Sequence, residues 1–224
     1  LILCNADGSI IDNFTLDHDD VENNGIVLAY TDNTNISNVV VNDSEIGIYI
    51  FYGSYNKISN TTLHSNLYGI SDLGGTNDFT NVTVTSNSYR GIDLQDSNLV
   101  KDSVVSDNGG TTTHMGIYLA ADNSIIENVI FDANYNAIGL ASGADNNTIA
   151  NCTMRNSSVA GISIASSGQT VPNKFYNNFL NNSRNVAFSG VTNNQSWNTT
   201  PQTGTRVYSS GVQIGGNFWA NYSN

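Results

Sequence analysis

Residues 47–68 read Gly-Ile-Tyr-Ile-Phe-Tyr-Gly-Ser-Tyr-Asn-Lys-Ile-Ser-Asn-Thr-Thr-Leu-His-Ser-Asn-Leu-Tyr, and this stretch decides the fold. Ile48 and Ile50 alternate with other residues, and the further apolar positions Ile58 and Leu63 are separated by polar turn residues. That is strand patterning in very short strands, with no run at helical spacing. The same phrase returns along the chain. Gly25-Ile26, Gly47-Ile48, Gly69-Ile70 and Gly91-Ile92 are each 22 residues apart, followed by Gly116-Ile117 and Gly161-Ile162, with Ala137-Ile138 in the remaining slot. A second register runs beside it through Asn13, Asn38, Asn60, Asn81, Asp102, Asn128, Asn151 and Asn177. Two ladders with one period define a solenoid, in which each repeat stacks on the last.

The content of the repeat selects the kind of solenoid. Helical repeats are excluded by the period-two pattern, and leucine-rich repeats by the absence of closely spaced leucines around one asparagine. Three strands at ~3.3 Å per residue close a coil of this length. The expected fold is all-β, a right-handed single-stranded parallel β-helix of about eight coils, since parallel crossovers favour that hand. Residues 1–192 form the solenoid, and 193–224, holding both tryptophans, form an aromatic segment that covers the last coil. The asparagine ladder is expected inside one corner, where amides satisfy turn backbone groups. Asp102, unable to donate, should force a local compromise. The glycine ladder marks positive φ or a close approach of the next coil. All these residues are structural.

Composition bounds the function. The net charge of −12 leaves no basic stripe for nucleic acid or an anionic membrane surface. No segment approaches ~18 uninterrupted apolar residues, so no membrane insertion is expected. Cys4 aligns with Ala29 and Ala120, and Cys152 with Val39, Val82 and Val129. Five coils separate the two, at ~4.8 Å each, far beyond the ~7 Å reach of a disulfide. Both are expected to be free, buried thiols.

The phrase Asn-Asn-Thr-Ile-Ala-Asn at 146–151, the Gly-Ile-x-Leu corners and Trp197-Asn-Thr-Thr resemble parallel β-helix repeat proteins of the NosD-like type. The ending Gly215-Gly-Asn-Phe-Trp-Ala-Asn-Tyr222 is similar to that of archaeal cell-surface members of the group. The resemblance implies an extracellular or envelope-anchored protein, often joined to adhesion or surface-layer modules. Copper would need clustered His, Met or Cys, yet His18, His64 and His114 fall in different coils and only His114-Met115 pairs two such residues. No cofactor is expected on those grounds.

Sites should lie where coils deviate, and two connections are longer than the rest. Asp17-His-Asp-Asp-Val-Glu22 is oxygen-rich and so compatible with Ca²⁺, but it lacks a recognisable ligand spacing and reads as a solvated acidic turn. The second, Ser106 to Met115, sets His114 against Tyr89 of the preceding coil, with Arg90 and Asp93 in that coil and Tyr118 just beyond the corner. An aromatic beside a carboxylate, an arginine and a histidine suits sugar recognition. These five residues form the candidate glycan-binding site, although Arg90 and Asp93 also read as a surface ion pair. The outward column Val27, Tyr49, Ser71, Asp93, Tyr118, Gly139, Ser163 holds one carboxylate, short of the pair a glycosidase needs. No catalytic residue is assigned.

Asn-x-Ser/Thr triplets on the ladder are expected to face inward. Asn35, Asn42, Asn156, Asn194 and Asn198, with Asn221, are the candidate glycosylation positions. The first coil, with Leu1, Leu3, Ile11, Phe14 and Leu16, is expected to open at its end and to be covered by self-assembly or a neighbouring domain. The reading is an extracellular structural or adhesive module at the cell surface or envelope, in contact with glycans. Its alternative is a carbohydrate-active enzyme: a polysaccharide lyase, epimerase or hydrolase.

Overall fold

The computed structural model describes residues 1–18, 22–110, 114–166, 170–190 and 195–220. The short apolar-alternating segments become strands, and the chain winds them into a parallel β-solenoid of about eight turns with three faces. The first face is a nine-stranded sheet running from Ile2–Cys4 through Ile26–Ala29, Ile46–Phe51, Tyr68–Leu73, Arg90–Leu94, Met115–Leu119, Asn136–Leu140 and Ala160–Ser166 to Val186–Gly190. A second sheet of fifteen strands bends into the other two faces, which meet in the long strand Asn35–Asn42. Every pairing along both is parallel, with each strand bonded to its counterpart one coil away, as between Tyr68–Leu73 and Arg90–Leu94.

The register follows the repeat. Ile26, Ile48, Ile70, Ile92, Ile117, Ile138 and Ile162 are partners in succession on the first face. All seven are fully buried, as are the second-face Ile58, Phe79, Val100 and Ile126 and the third-face Leu63, Val84, Val105 and Phe131. Full burial of each such side chain contributes about 1.5–3 kcal/mol. The glycines beside the isoleucines mark a close approach of neighbouring coils. A Cβ on Gly47, Gly69, Gly91 or Gly116 would stand 2.5–2.6 Å from the carbonyl oxygen at the same position of the next coil, and none of these has positive φ.

The asparagine ladder differs from the expectation. Asn13, Asn38, Asn60, Asn81, Asp102 and Asn128 are exposed, and Asn151 is half-buried. Only Asn177 is buried, at 0 % exposure. Each of the eight holds a left-handed φ between 50° and 58°. Asn and Asp tolerate that conformation better than other residues with a Cβ, and adopting it here swings the side chain outward. Neighbours still pair along the outside, Asn81 Nδ2 donating to Asn60 Oδ1 at 2.7 Å. Asn128 Nδ2 donates to Asp102 Oδ1 at 2.6 Å, but Asp102 has no donor to pass to Asn81, and among the described residues no bond joins the two, so the outward chain is interrupted there.

Most inward amides belong to two other columns, each one residue past a corner. One runs through Asn56, Asn77, Asn98, Asn147 and Asn173, with Ser124 replacing one amide, and the other through Asn66, Asn87, Asn108 and Asn134. Asn87 shows the arrangement. Its Nδ2 donates to Leu63 O at 3.2 Å and to Asn108 Oδ1 at 2.9 Å. Its Oδ1 accepts from Asn66 N at 3.0 Å and from Asn66 Nδ2 at 3.1 Å. Each amide thus ties a carbonyl of the coil before it and the turn N–H beside it into one continuous chain of bonds. At the third corner Asn178 makes the same kind of bonds, accepting from Cys152 N and donating to Ile149 O, both at 2.9 Å.

The remaining placements divide. Cys152 lies fully inside, and burial pushes its thiol up to about 12. Cys4 is exposed, because its register partner Ala29 belongs to an outward column; both thiols are free. In the first coil Ile11 is 7 % exposed, with Leu3, Phe14 and Leu16 packed partly buried on the core. The side chains that meet water there are Leu1 and the outward Ile2 and Ile10. At the other end Trp197 stacks on Phe175 at 4.6 Å, Trp219 meets Trp197 edge-on at 5.6 Å and Phe218 stacks on Phe179 at 5.6 Å.

Replacing Asn87 by Leu strands at least two buried backbone groups, at a cost of about 1–3 kcal/mol each. Asn87→Leu should lower the melting temperature by at least about 5 °C, and Asn60→Gly, which keeps the left-handed turn, by little. Thermal melts of the two variants check this.

Candidate functional site

The candidate site lies on the outward columns of the first face, where the middle-coil side chains Ser71 and Asp93 are buried and Tyr89, Arg90, His114 and Tyr118 are half-buried. Val27, Tyr49, Ser71, Asp93, Tyr118, Gly139 and Ser163 are register partners in that order. Around Asp93 the five expected residues come together. The Tyr89 and His114 rings lie 4.5 Å apart at 56°, and Tyr68 adds a third ring 4.9 Å from Tyr89. The Arg90 guanidinium carbon sits 3.7 Å from the centroid of Tyr118 and 5.1 Å from that of Tyr89. Arg90 is thereby held by cation–π contact on both sides.

The charges are matched. Arg90 Nη1 bonds one carboxylate oxygen of Asp93, and Gln95 Nε2 donates to the other. With Asp93 only 6 % exposed and both oxygens engaged, it is a held acceptor rather than a free base. Burial, and then the nearby Arg90 cation, lowers the His114 pKa, which keeps the imidazole neutral at neutral pH. Gly110 N donates to His114 Nδ1 at 2.9 Å, fixing the ring. Burial, then Tyr89, raises the Tyr68 phenol, which stays protonated as a donor. The group offers aromatic faces, phenol hydroxyls and a fixed ion pair, with one carboxylate and no opposed partner in its column.

Another carboxylate was passed over. Asp72 occupies the inward position that Ile50 and Leu94 fill in adjacent coils, and it is fully buried. Gly74 N donates to its Oδ1 at 2.8 Å and Asn77 Nδ2 to its Oδ2 at 3.0 Å. Burial still dominates and raises its pKa from 3.8 to about 7. The signal was available in Gly69-Ile-Ser-Asp72, where the Gly-Ile-x-Leu phrase loses its leucine.

Metal donors are scattered. Among the described residues no group of three or more His, Cys, Asp or Glu could hold a metal ion. Met154 and Cys152 are core residues, the Met115 thioether lies across Gly139, and His114 is held by its own loop. This donor set does not fit copper. In the acidic connection residues 19–21 lie outside the described residues, while Asp17 Oδ1 accepts from Asn42 Nδ2 at 2.6 Å. That bond, with a second to Asp43, holds the Asn42 side chain, which is only 9 % exposed. Asn35, Asn156 and Asn198 are exposed, and Asn194 and Asn221 lie outside the described residues. Contrary to expectation, the ladder residues Asn13, Asn60 and Asn81 are also open to solvent.

Comparison with known proteins places the chain. The family described as "Periplasmic copper-binding protein (NosD)" matches residues 5–224, and the chain belongs to that family. No curated protein matches significantly. Among solved structures, the catalytic domain of a GH87 α-1,3-glucanase in complex with nigerose is similar, with a TM-score of 0.54 and 13 % identity over 75 % of this chain. The match spans 44 % of that domain. An alginate lyase from Paenibacillus sp. str. FPU-7 has a TM-score of 0.50 and 13 % identity, covering 80 % of each chain. At such identity the likeness is one of fold, a parallel β-helix.

Asp72 gives a test of sign. Its folded pKa is raised, so between pH 3.8 and about 7 the native state binds more protons than the unfolded one. Its contribution to stability therefore falls as pH rises through that window, by up to about 4 kcal/mol. Asp72→Asn should flatten the fall and raise the melting temperature at pH 8 relative to the parent, with little change at pH 4. Melting curves at both pH values check this.

Proposed function

We propose that this protein is an extracytoplasmic structural or adhesive β-helix module that contacts glycans through the tyrosine-bearing first face. One observation carries the reading: Arg90 is clamped between Tyr89 and Tyr118 while both oxygens of Asp93 are already bonded. A site built this way presents rings and fixed donors to a ligand and leaves no carboxylate free to take a proton. The family's description as periplasmic supports a place outside the cytoplasm.

The aromatic surface extends beyond the five residues. Tyr30 and Tyr52 stack at 5.6 Å beside the same face and are 52 % and 61 % exposed. Tyrosine combines a large apolar face with a polar tip, which suits a pyranose ring carrying both C–H and O–H groups. The net charge of −12 favours neutral glycans over polyuronates. Under this reading the outward Ile2 and Ile10 of the first coil meet a neighbouring subunit or domain, and the module works in an array.

The variant that tests recognition is Tyr118→Ala rather than Arg90→Ala, since removing Arg90 would leave the buried Asp93 carboxylate unpaired at about 3–5 kcal/mol. Tyr118→Ala should reduce retention on immobilised neutral cell-wall polysaccharide by about fivefold or more, the value of one aromatic contact. Its melting temperature should stay close to that of the parent. The parent should release no product from neutral glucans or uronate polymers. Turnover that persists in purified protein and disappears in Asp93→Asn would replace this reading with the enzymatic one.

A further inference from the structure

The C-terminal segment does more than cover the last coil. Gln202–Thr203 and Gln213–Ile214 pair antiparallel, the one such pairing among the described residues. Gly204 N donates to Val212 O at 3.0 Å and Arg206 Nε to Gln213 O at 2.6 Å, which brace the hairpin. It is rooted at the end of the solenoid, where Asn177 N donates to Gly216 O at 2.7 Å and Thr199 N to Gly215 O at 2.7 Å. From there it turns back along the outside of the helix. Gly204, Thr205, Val207 and Ile214 face Lys101, Asp102, Glu127, Asn128 and Asn151 of earlier coils across a groove of about 360 Å³.

The floor is the outward ladder itself. Asn128 Nδ2 donates to Asp102 Oδ1 at 2.6 Å and Asn151 Nδ2 to Glu127 Oε1 at 3.0 Å, while Lys101 Nζ lies 3.3 Å from Glu127 Oε2. These bonds leave Asp102 Oδ2 and Asn128 Oδ1 without a protein partner among the described residues. Asn177 donates to Asn151 Oδ1 at 2.7 Å and to Thr205 O at 2.8 Å, so it joins floor to roof. Its own Oδ1 is buried and has no partner. The roof adds apolar surface from Val207 and Ile214.

We infer that this roofed groove is a saccharide-binding site for a neutral hexose unit, separate from the first face. Amides and carboxylates in a row accept and donate to ring hydroxyls in pairs, and the branched aliphatic roof covers a C–H face. Two carboxylates against one ammonium, on a chain of net charge −12, repel uronate and phosphate groups. The inference shares the glycan reading above but not its residues, so each can fail alone.

The test is calorimetric titration of the 224-residue chain with neutral gluco-, manno- and galacto-oligosaccharides, each separately, and with an oligogalacturonate as the charged control. Asn128→Gly keeps the left-handed φ of 54° and removes the amide from the floor. At least one neutral oligosaccharide should bind, Asn128→Gly should weaken it about tenfold without lowering the melting temperature, and Tyr118→Ala should leave it unchanged. Loss of binding in Tyr118→Ala but not in Asn128→Gly would overturn the groove and leave the first-face reading standing. Binding of none of the neutral sugars, or tighter binding of the oligogalacturonate, would also overturn it.

Discussion

The structure depends on how its corners satisfy backbone groups that no strand can reach. A coil turns three times, and at each turn an N–H and a carbonyl fall out of the sheet ladders into an apolar interior. Burying them unpaired would cost about 1–3 kcal/mol each. Asparagine resolves this along two corners, and through Asn178 in one coil of the third, because one side chain both accepts and donates. Asn147 Oδ1 accepts from Ser124 N at 2.7 Å while its Nδ2 reaches back to Ala121 O at 2.8 Å. The residue before most of these inward groups bends the chain left-handed, as Asn146 does with φ 52° and Ser65, Ser86, Asp107 and Ala133 do along the second column. Turn and amide are one device, repeated at the coil spacing.

That device separates structure from function in space. Inward columns are committed to packing and amide chains, so variation is confined to outward columns and to connections that leave the repeat. The first face uses this freedom for rings and an ion pair. The hairpin near the C-terminus uses it to roof the outside of a corner. Asp72 breaks the rule by placing a carboxylate in a core column, and Asn77 serves both it and the amide column. Its raised pKa is the consequence of meeting too few donors for its burial.

Much of this was legible in the sequence, because a period is a property that one-dimensional pattern preserves. The isoleucine registers, the outward column through Asp93 and the contact of His114 with Tyr89 all follow from subtraction of residue numbers. The direction of the asparagines did not follow. Asn60 and Asn66 recur with the same period, and only backbone φ tells which points in: Asn60 itself is left-handed at 50°, whereas Asn66 follows the left-handed Ser65 at 59°. Cys4 was misplaced for a related reason, since alanine in its column is compatible with either side. The groove was illegible because it joins Asp102 and Asn128 to Ile214, segments with no shared repeat.

The amide columns make a direct claim about hydrogen exchange. The N–H groups of Asn56, Asn66, Asn77 and Asn87 lie in turns, yet each donates to a buried side-chain oxygen of the next coil at 2.8–3.1 Å. Their exchange should be as slow as that of the strand amides of Ile70 and Ile92. Exchange at the rate of the amide of the exposed Asp96 would contradict the account and show that the corners are held by something other than asparagine.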